Sequence, residues 1–338
     1  MTKQRDNILD ILRILACGMV ILMHSPMPST KADGVFLNAL SYFTAPCIGL
    51  FFMVSGALLL PVKRDYVTFI KRRFSKIAVP TLFWSLVYIA INAIHGQATD
   101  KTIHSIISIP FSAQGHGVLW FMYTMAGLYL IAPIISAWLE KANKQELQLV
   151  LGLWAVTLCY PLLEWFVGIT EGTTGILYYF TGYAGYFLLG YYLKRYPESL
   201  SLKWVLPLAV SGVALLLALK MRNVPFDFYR MFWYLSIFIV AGAVVIWKIH
   251  YLFWNNEKFL LKMGGSKIGI LSNLTFGIYL IHILIMRECL WKMNWLMEIP
   301  FVTQTVIVAC LTFTISAVVC ALVSRLPGAQ WIIGYRRR

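Results

Sequence analysis

Ten apolar stretches dominate this chain, each near or above the roughly 20 residues a helix needs to cross a bilayer. They cover approximately 8–25, 39–62, 74–95, 117–138, 147–168, 174–193, 203–219, 229–248, 269–290 and 300–324. Lipid offers no partner to an open backbone, so runs of this kind must be helical. The expected fold is an all-α membrane protein of about ten transmembrane helices. The segments between the stretches are short, and no Ser/Gly linker or low-complexity tract divides them. One domain over residues 1–338 is the simplest organisation. Composition agrees: 59% of residues are hydrophobic and 13% are charged, against about 25% charged in soluble proteins.

The net charge is +15, yet the basic residues form no single block. They recur between apolar stretches, which points to topology and away from nucleic acid. With the N-terminus inside, 21 of the 29 Lys and Arg fall on the cytoplasmic side and 7 outside; Arg13 lies within the first stretch. The bias predicts both termini in the cytoplasm. Asp6 and Asp10 flank the first apolar run and no small-residue cleavage site follows, so no removable signal is expected. Six cysteines, at 17, 47, 159, 289, 310 and 320, show no CxxC or Cys/His metal spacing. They read as small buried hydrophobes, and no metal is expected.

The first stretch contains LRILACGMVILMH, with Arg13 near one end and His24 at the other. Eleven residues at about 100° each return to within roughly 20° of one face, about 16 Å along the axis. A charge deep in a bilayer costs at least about 2.5–3.5 kcal/mol, so an intramembrane arginine calls for a function or a partner. Asp10, three residues before Arg13, is the candidate ion-pair partner. The remaining polar exceptions sort by depth. The run KRRFSK, 71–76, lies at the cytoplasmic mouth of the third stretch. His116, Trp120, Glu164 and His282 lie towards the outside. The aromatics Trp120, Phe121, Trp165, Tyr178 and Tyr179 group near the outer face, as belt anchors or as stacking platforms.

Several segments together resemble the acyltransferase-3 family of bacterial multi-pass membrane O-acyltransferases. RDNILDILRILACGMVILMH resembles that family's opening R…LDxLRxxA…H. GLFFMVSGALLL (49–60) is similar to its FFxxSG helix, RRFSKIAVP (72–80) to its RxxR…P segment, and VLWFM (118–122) to its LWF element. YFLLGYYLKR (186–195), SNLTFGIYLIH (272–282) and SRLPGAQWIIG (324–334) resemble its later parts. The matches fall in order along nearly the whole chain. Lys76 stands where the family usually has a second arginine, keeping the charge but losing the bidentate fork. His116 stands four residues before Trp120, whereas many members place it next to LWF. No appended extracellular domain is expected.

The resemblance implies transfer of an acyl group, most often acetyl, from cytoplasmic acyl-CoA to a hydroxyl of a cell-envelope sugar or lipid-linked glycan. It implies a multi-pass protein of the bacterial plasma membrane, partnered by lipid, acyl-CoA and the glycan. It assigns His24 as general base, with Arg13 binding donor phosphate or stabilising developing negative charge and Asp10 orienting Arg13. The blander reading of His24 is an interfacial cap just before Ser25 and Pro26. Arg72, Arg73 and Lys76 would hold the CoA phosphates, or would only anchor the loop to anionic lipid. Ser55, Trp120, Glu164 and His282 are candidates for the acceptor site, and Ser55-Gly56 also suits close helix approach. Ala16, Cys17 and Val20, between Arg13 and His24, are small enough to leave room for a pantetheine arm. The competing function is a transporter or exporter of a glycan precursor using Arg13, His24 and Glu164 as relays; no convincing inverted repeat supports it.

The topology is testable directly. Reporter fusions after Arg338 and within 249–268 should report cytoplasm, and fusions within 169–173 the outside. An external C-terminus would overturn the orientation and every depth assigned above.

Overall fold

The computed structural model describes residues 6–28, 34–63, 65–97, 101–111, 119–170, 172–254 and 265–336. Among these residues the fold is helical, with no strand. In chain order the α-helices are α1 (Asn7–His24), α2 (Gly34–Thr44), α3 (Pro46–Leu59), α4 (Tyr66–Asn92), α5 (Lys101–Ser108), α6 (Trp120–Leu139), α7 (Lys144–Thr157) and α8 (Tyr160–Val167). There follow α9 (Ala184–Arg195), α10 (Leu202–Met221), the one-turn α11 (Phe228–Met231), α12 (Ile237–Trp254), α13 (Gly265–Glu288), α14 (Asn294–Met297), α15 (Phe301–Val323) and α16 (Ala329–Ile332).

Eight helical segments among the described residues are long and apolar enough to span a membrane, counting α2 with α3 and α7 with α8. The predicted stretch 174–193 instead yields a loop followed by the 12-residue α9, and 229–248 yields the one-turn α11 and then the apolar α12, which begins only at Ile237. The reason is local. Gly182, held at φ +88°, breaks the first, and the turn through Phe232, Trp233 and Tyr234 delays the second.

Helix starts are set by side-chain caps. Asp6 accepts from the Leu9 amide at the start of α1. Asp65 accepts from Val67 and Thr68 at the start of α4, and the bonds from Thr68 hold its carboxyl below the usual carboxylate range. Asn143 and Glu146 close a reciprocal capping box on α7. Ser25 ends α1 by returning its hydroxyl to the Ile21 carbonyl at 2.7 Å.

Two compact units divide the chain: Met1–Leu60 with Leu139–Ser272, and Pro61–Trp138 with Asn273–Arg338. In the first, α3 and α9 pack backbone to backbone. A Cβ built on Gly56 would lie 1.8 Å from the Phe187 carbonyl oxygen, and one on Gly190 would lie 1.9 Å from that of Met53. The expected close approach at Ser55-Gly56 is therefore present, carried by the glycine. Lipid tails supply no hydrophobic drive between helices, so such contact rests on dispersion and shape. Tyr186, fully buried beside it, donates to the Tyr234 carbonyl at 2.6 Å. In the second unit Tyr88 donates to Leu280 O at 2.8 Å and the Trp84 indole N–H to Ile332 O at 2.9 Å. These bonds tie α4 to α13 and α16.

Two sequence expectations change. Cys289 and Cys310 are exposed and Cys159 is half-buried, leaving Cys17, Cys47 and Cys320 as the buried thiols. Cys310 falls off the buried α15 stripe of Thr305, Val308, Thr312 and Ser316; a small apolar thiol facing lipid costs little. Phe121 is not an interfacial anchor either, being buried with its ring 5.4 Å from that of Tyr279.

Overpacking of a tight site costs typically about 1–3 kcal/mol. Gly56→Ala, which collides with backbone that cannot rotate away, should lower the melting temperature in detergent by several degrees. Gly127→Ala, whose Cβ meets nothing within 4 Å, should be neutral or slightly stabilising. Equal melting of the two variants would refute the backbone contact.

Candidate active site

Helix α1 carries both polar residues that the sequence singled out, at opposite ends of an unbroken helix. At its Asn7 end a compact polar cluster forms. Asp10 is buried, and its Oδ1 accepts from the Ser272 hydroxyl at 2.6 Å. The same Ser272 oxygen accepts from the Arg13 guanidinium at 3.5 Å. Ser272 is itself 1% exposed. One hydroxyl thus links the carboxylate to the guanidinium, its proton given to one and its lone pair to the other. Nearby, His250 on α12 donates from Nε2 to the Ile8 carbonyl at 2.7 Å, fixing the first turn of α1. Lys194 pairs with Asp6 at 3.1 Å.

At the other end, His24 Nδ1 lies 2.8 Å from the Val20 carbonyl. A carbonyl oxygen only accepts, so Nδ1 carries a proton, and in the neutral ring the lone pair then belongs to Nε2. This is the tautomer a general base needs. Ala16, Cys17 and Val20 are each at most 1% exposed. The expected open stripe between Arg13 and His24 is thus closed by packing.

Glu164, on α8, pairs with Arg230 on α11. Arg230 borders a cavity of about 230 Å³ that is also lined by Tyr183, Tyr229, Trp233 and Tyr234. The Tyr234 hydroxyl reaches the sulfur of Met23 at 3.4 Å, next to His24 in sequence. Aromatic faces beside a charged hydrogen-bonding pair form a surface on which a polyol ring can stack and be held.

The other candidates belong to the second unit. Arg72, Arg73 and Lys76 sit in the first three turns of α4, all exposed, and none makes an ion pair or hydrogen bond among the described residues. Spacings of three and four put them on one face. Trp120 starts α6, half-buried, with its ring edge-to-face on Phe121 at 6.4 Å. His282 is 1% exposed, with Nδ1 2.5 Å from the Tyr279 carbonyl. Ser55 in the first unit is half-buried on α3. His116 lies outside the described residues. So Asp10 and Arg13 come together, and Glu164 gains a partner. Sequence reasoning missed Ser272, Arg230 and His250. Ser272 opens the SNLTFGIYLIH motif, so its signal was in view; Arg230 and His250 carried none.

The fold and these intramembrane polar groups define an all-α, multi-pass membrane protein. Over residues 6–321 the chain matches the Acyl_transf_3 family model, described as an acyltransferase domain. It belongs to the acyltransferase-3 family, whose members are membrane acyltransferases. No curated protein and no solved structure gives a significant match.

Leaving a buried acceptor without its donor costs about 1–3 kcal/mol. Ser272→Ala should therefore lower thermal stability clearly, whereas Ser272→Thr, which keeps a hydroxyl, should retain most of it. Melting curves in detergent decide this. Identical melting of Ser272→Ala and wild type would mean that Asp10 and Arg13 do not depend on the bridge.

Proposed function

We propose that this protein moves an acyl group, acetyl in the first instance, from cytoplasmic acyl-CoA to a hydroxyl of an envelope sugar or glycan precursor, in a bacterial plasma membrane. The observation that carries the reading is the His24 hydrogen bond, in which Nδ1–H donates to the Val20 carbonyl and so makes Nε2 the basic atom of the neutral ring. In this reaction Nε2 takes the proton of the acceptor hydroxyl as its oxygen attacks the thioester carbonyl. A C–O bond forms and the C–S bond breaks. The departing CoA sulfur takes the proton, leaving free thiol and His24 neutral again.

The other roles follow the charge. Arg13, with Asp10 and Ser272 orienting it, binds donor phosphate or offsets negative charge on the carbonyl oxygen. Arg72, Arg73 and Lys76 hold CoA phosphates by charge-assisted bonds; their exposure, with no ion pair or hydrogen bond to them among the described residues, supports this. Ser55, Trp120, Glu164 and His282 serve the acceptor, Glu164 through its pair with Arg230 beside the aromatic cavity. The experiment is incubation of purified protein with labelled acetyl-CoA and undecaprenyl-linked sugars, following label transfer and CoA release. Transfer to no acceptor, with proton-gradient-dependent flux of a glycan precursor in vesicles, would replace this reading by transport.

The basic face gives a sharper expectation. Arg73→Ala should weaken acyl-CoA binding and reduce its salt dependence. Lys76→Arg should keep or improve binding, because it restores a bidentate group. Unchanged CoA affinity in Arg73→Ala, together with altered topology, would assign the cluster to lipid anchoring.

A further inference from the structure

Within the first unit a groove of about 650 Å³ lies between α7 and α10. That volume falls in the range of about 300–1,000 Å³ typical of small-molecule sites. Its floor is apolar and buried: Leu189 on α9 with Val240, Ala241 and Val244 on α12. Its walls belong to the candidate spans Lys144–Val167 and Leu202–Met221. In a bilayer, a crevice between two such helices would open to hydrocarbon. Water gains nothing against such walls, so in a bilayer the natural filling is a lipid chain.

One end of the groove is polar and built in detail. Lys144 pairs with Glu198 at 3.0 Å, and Gln148 donates to the Tyr192 hydroxyl at 2.9 Å. The Ser199 hydroxyl is shielded from solvent and has no partner. Leu200, which also lines the groove, is held at φ +53°, a left-handed conformation rare for leucine. The Lys248 ammonium fixes this turn by donating to the carbonyls of Pro197 and Ser199. The mouth therefore offers one cation and one anion side by side, with a hydroxyl donor beneath them.

We propose that this groove is a binding site for a phospholipid whose head carries a primary amine, such as phosphatidylethanolamine. The acyl chain lies on the Leu189–Val240–Val244 floor. The phosphate takes Lys144 and the Ser199 hydroxyl, and the ammonium takes Glu198. Each member of the Lys144–Glu198 pair exchanges one opposite charge for another, so no charge is left unmatched. A glycerol head brings the same phosphate to Lys144 but no cation to Glu198, which then loses the charge that Lys144 supplied. A choline head carries a cation with no N–H to donate.

The test uses full-length protein in detergent with phosphatidylethanolamine, phosphatidylglycerol and phosphatidylcholine of identical chains, reading bound lipid by native mass spectrometry. The amine lipid should be retained preferentially. A charge-assisted bond corresponds to about tenfold in affinity, so Glu198→Gln, on an exposed turn, should cut that preference by about tenfold. Gly152 lines the groove and a Cβ there meets nothing within 4 Å. Gly152→Phe should fill the groove without disturbing the fold and reduce retention of all three lipids, its melting without lipid staying that of wild type. Equal retention of the three heads by wild type indicates annular lipid only and overturns the proposal, as does undiminished amine-lipid retention in Gly152→Phe. None of these readouts depends on acyl transfer.

Discussion

Everything at the start of α1 depends on one constraint: a polar group inside a bilayer must find its partner within the protein. Asp10 and Arg13 occupy neighbouring turns of a helix otherwise built mostly from apolar residues, Ile and Leu above all. Ser272, arriving from α13, gives its proton to Asp10 and its lone pair to Arg13. His250 and Lys194 then fasten the first turn of α1 from α12 and α9. The cluster needs a rigid frame, and the glycine-to-backbone packing of α3 on α9 provides one. Such packing leaves little freedom for the helices to slide, since any shift drives backbone into backbone.

His24 obeys the same constraint differently. Its Nδ1–H satisfies the Val20 carbonyl within its own helix, the sort of local bond that any terminal histidine could make. The consequence is chemical: fixing the proton on Nδ1 leaves Nε2 as the basic atom. One bond thus meets a structural need and, in the proposed reaction, sets the basic atom. Arg13 and His24 are therefore two stations of different kinds. The first is held by a network from other helices, and the second is tuned by its own backbone.

Much of the fold was legible in the sequence because hydrophobic length and backbone satisfaction leave a membrane chain few options. Eight of the ten apolar stretches become segments of spanning length. The stretches 174–193 and 229–248 failed that reading because apolar aromatic composition says nothing of where a backbone turns. The polar cluster was legible where chemistry is rare: an arginine inside an apolar run needs a partner, and Asp10 lies one turn away. It was illegible where the partner is common or distant. Ser272 is one serine among many, and it lies 262 residues from Asp10. Arg230 looked like an ordinary loop charge until Glu164 was placed beside it. The exposure of Arg72, Arg73 and Lys76 fits their position at the start of α4, but charge pattern alone could not separate donor binding from lipid anchoring.

The central claim is that His24 takes the proton of the acceptor hydroxyl. The most direct measurement is single-turnover transfer from labelled acetyl-CoA to a lipid-linked sugar, at saturating donor, in wild type, His24→Ala and His24→Gln. Loss of a general base lowers rate by about 10²–10⁴-fold. Both variants should insert, melt and bind acyl-CoA like wild type, yet transfer at least about a hundredfold more slowly; glutamine can hydrogen-bond but cannot accept the proton. Transfer at the wild-type rate in His24→Ala would contradict the account and remove α1's histidine from the chemistry.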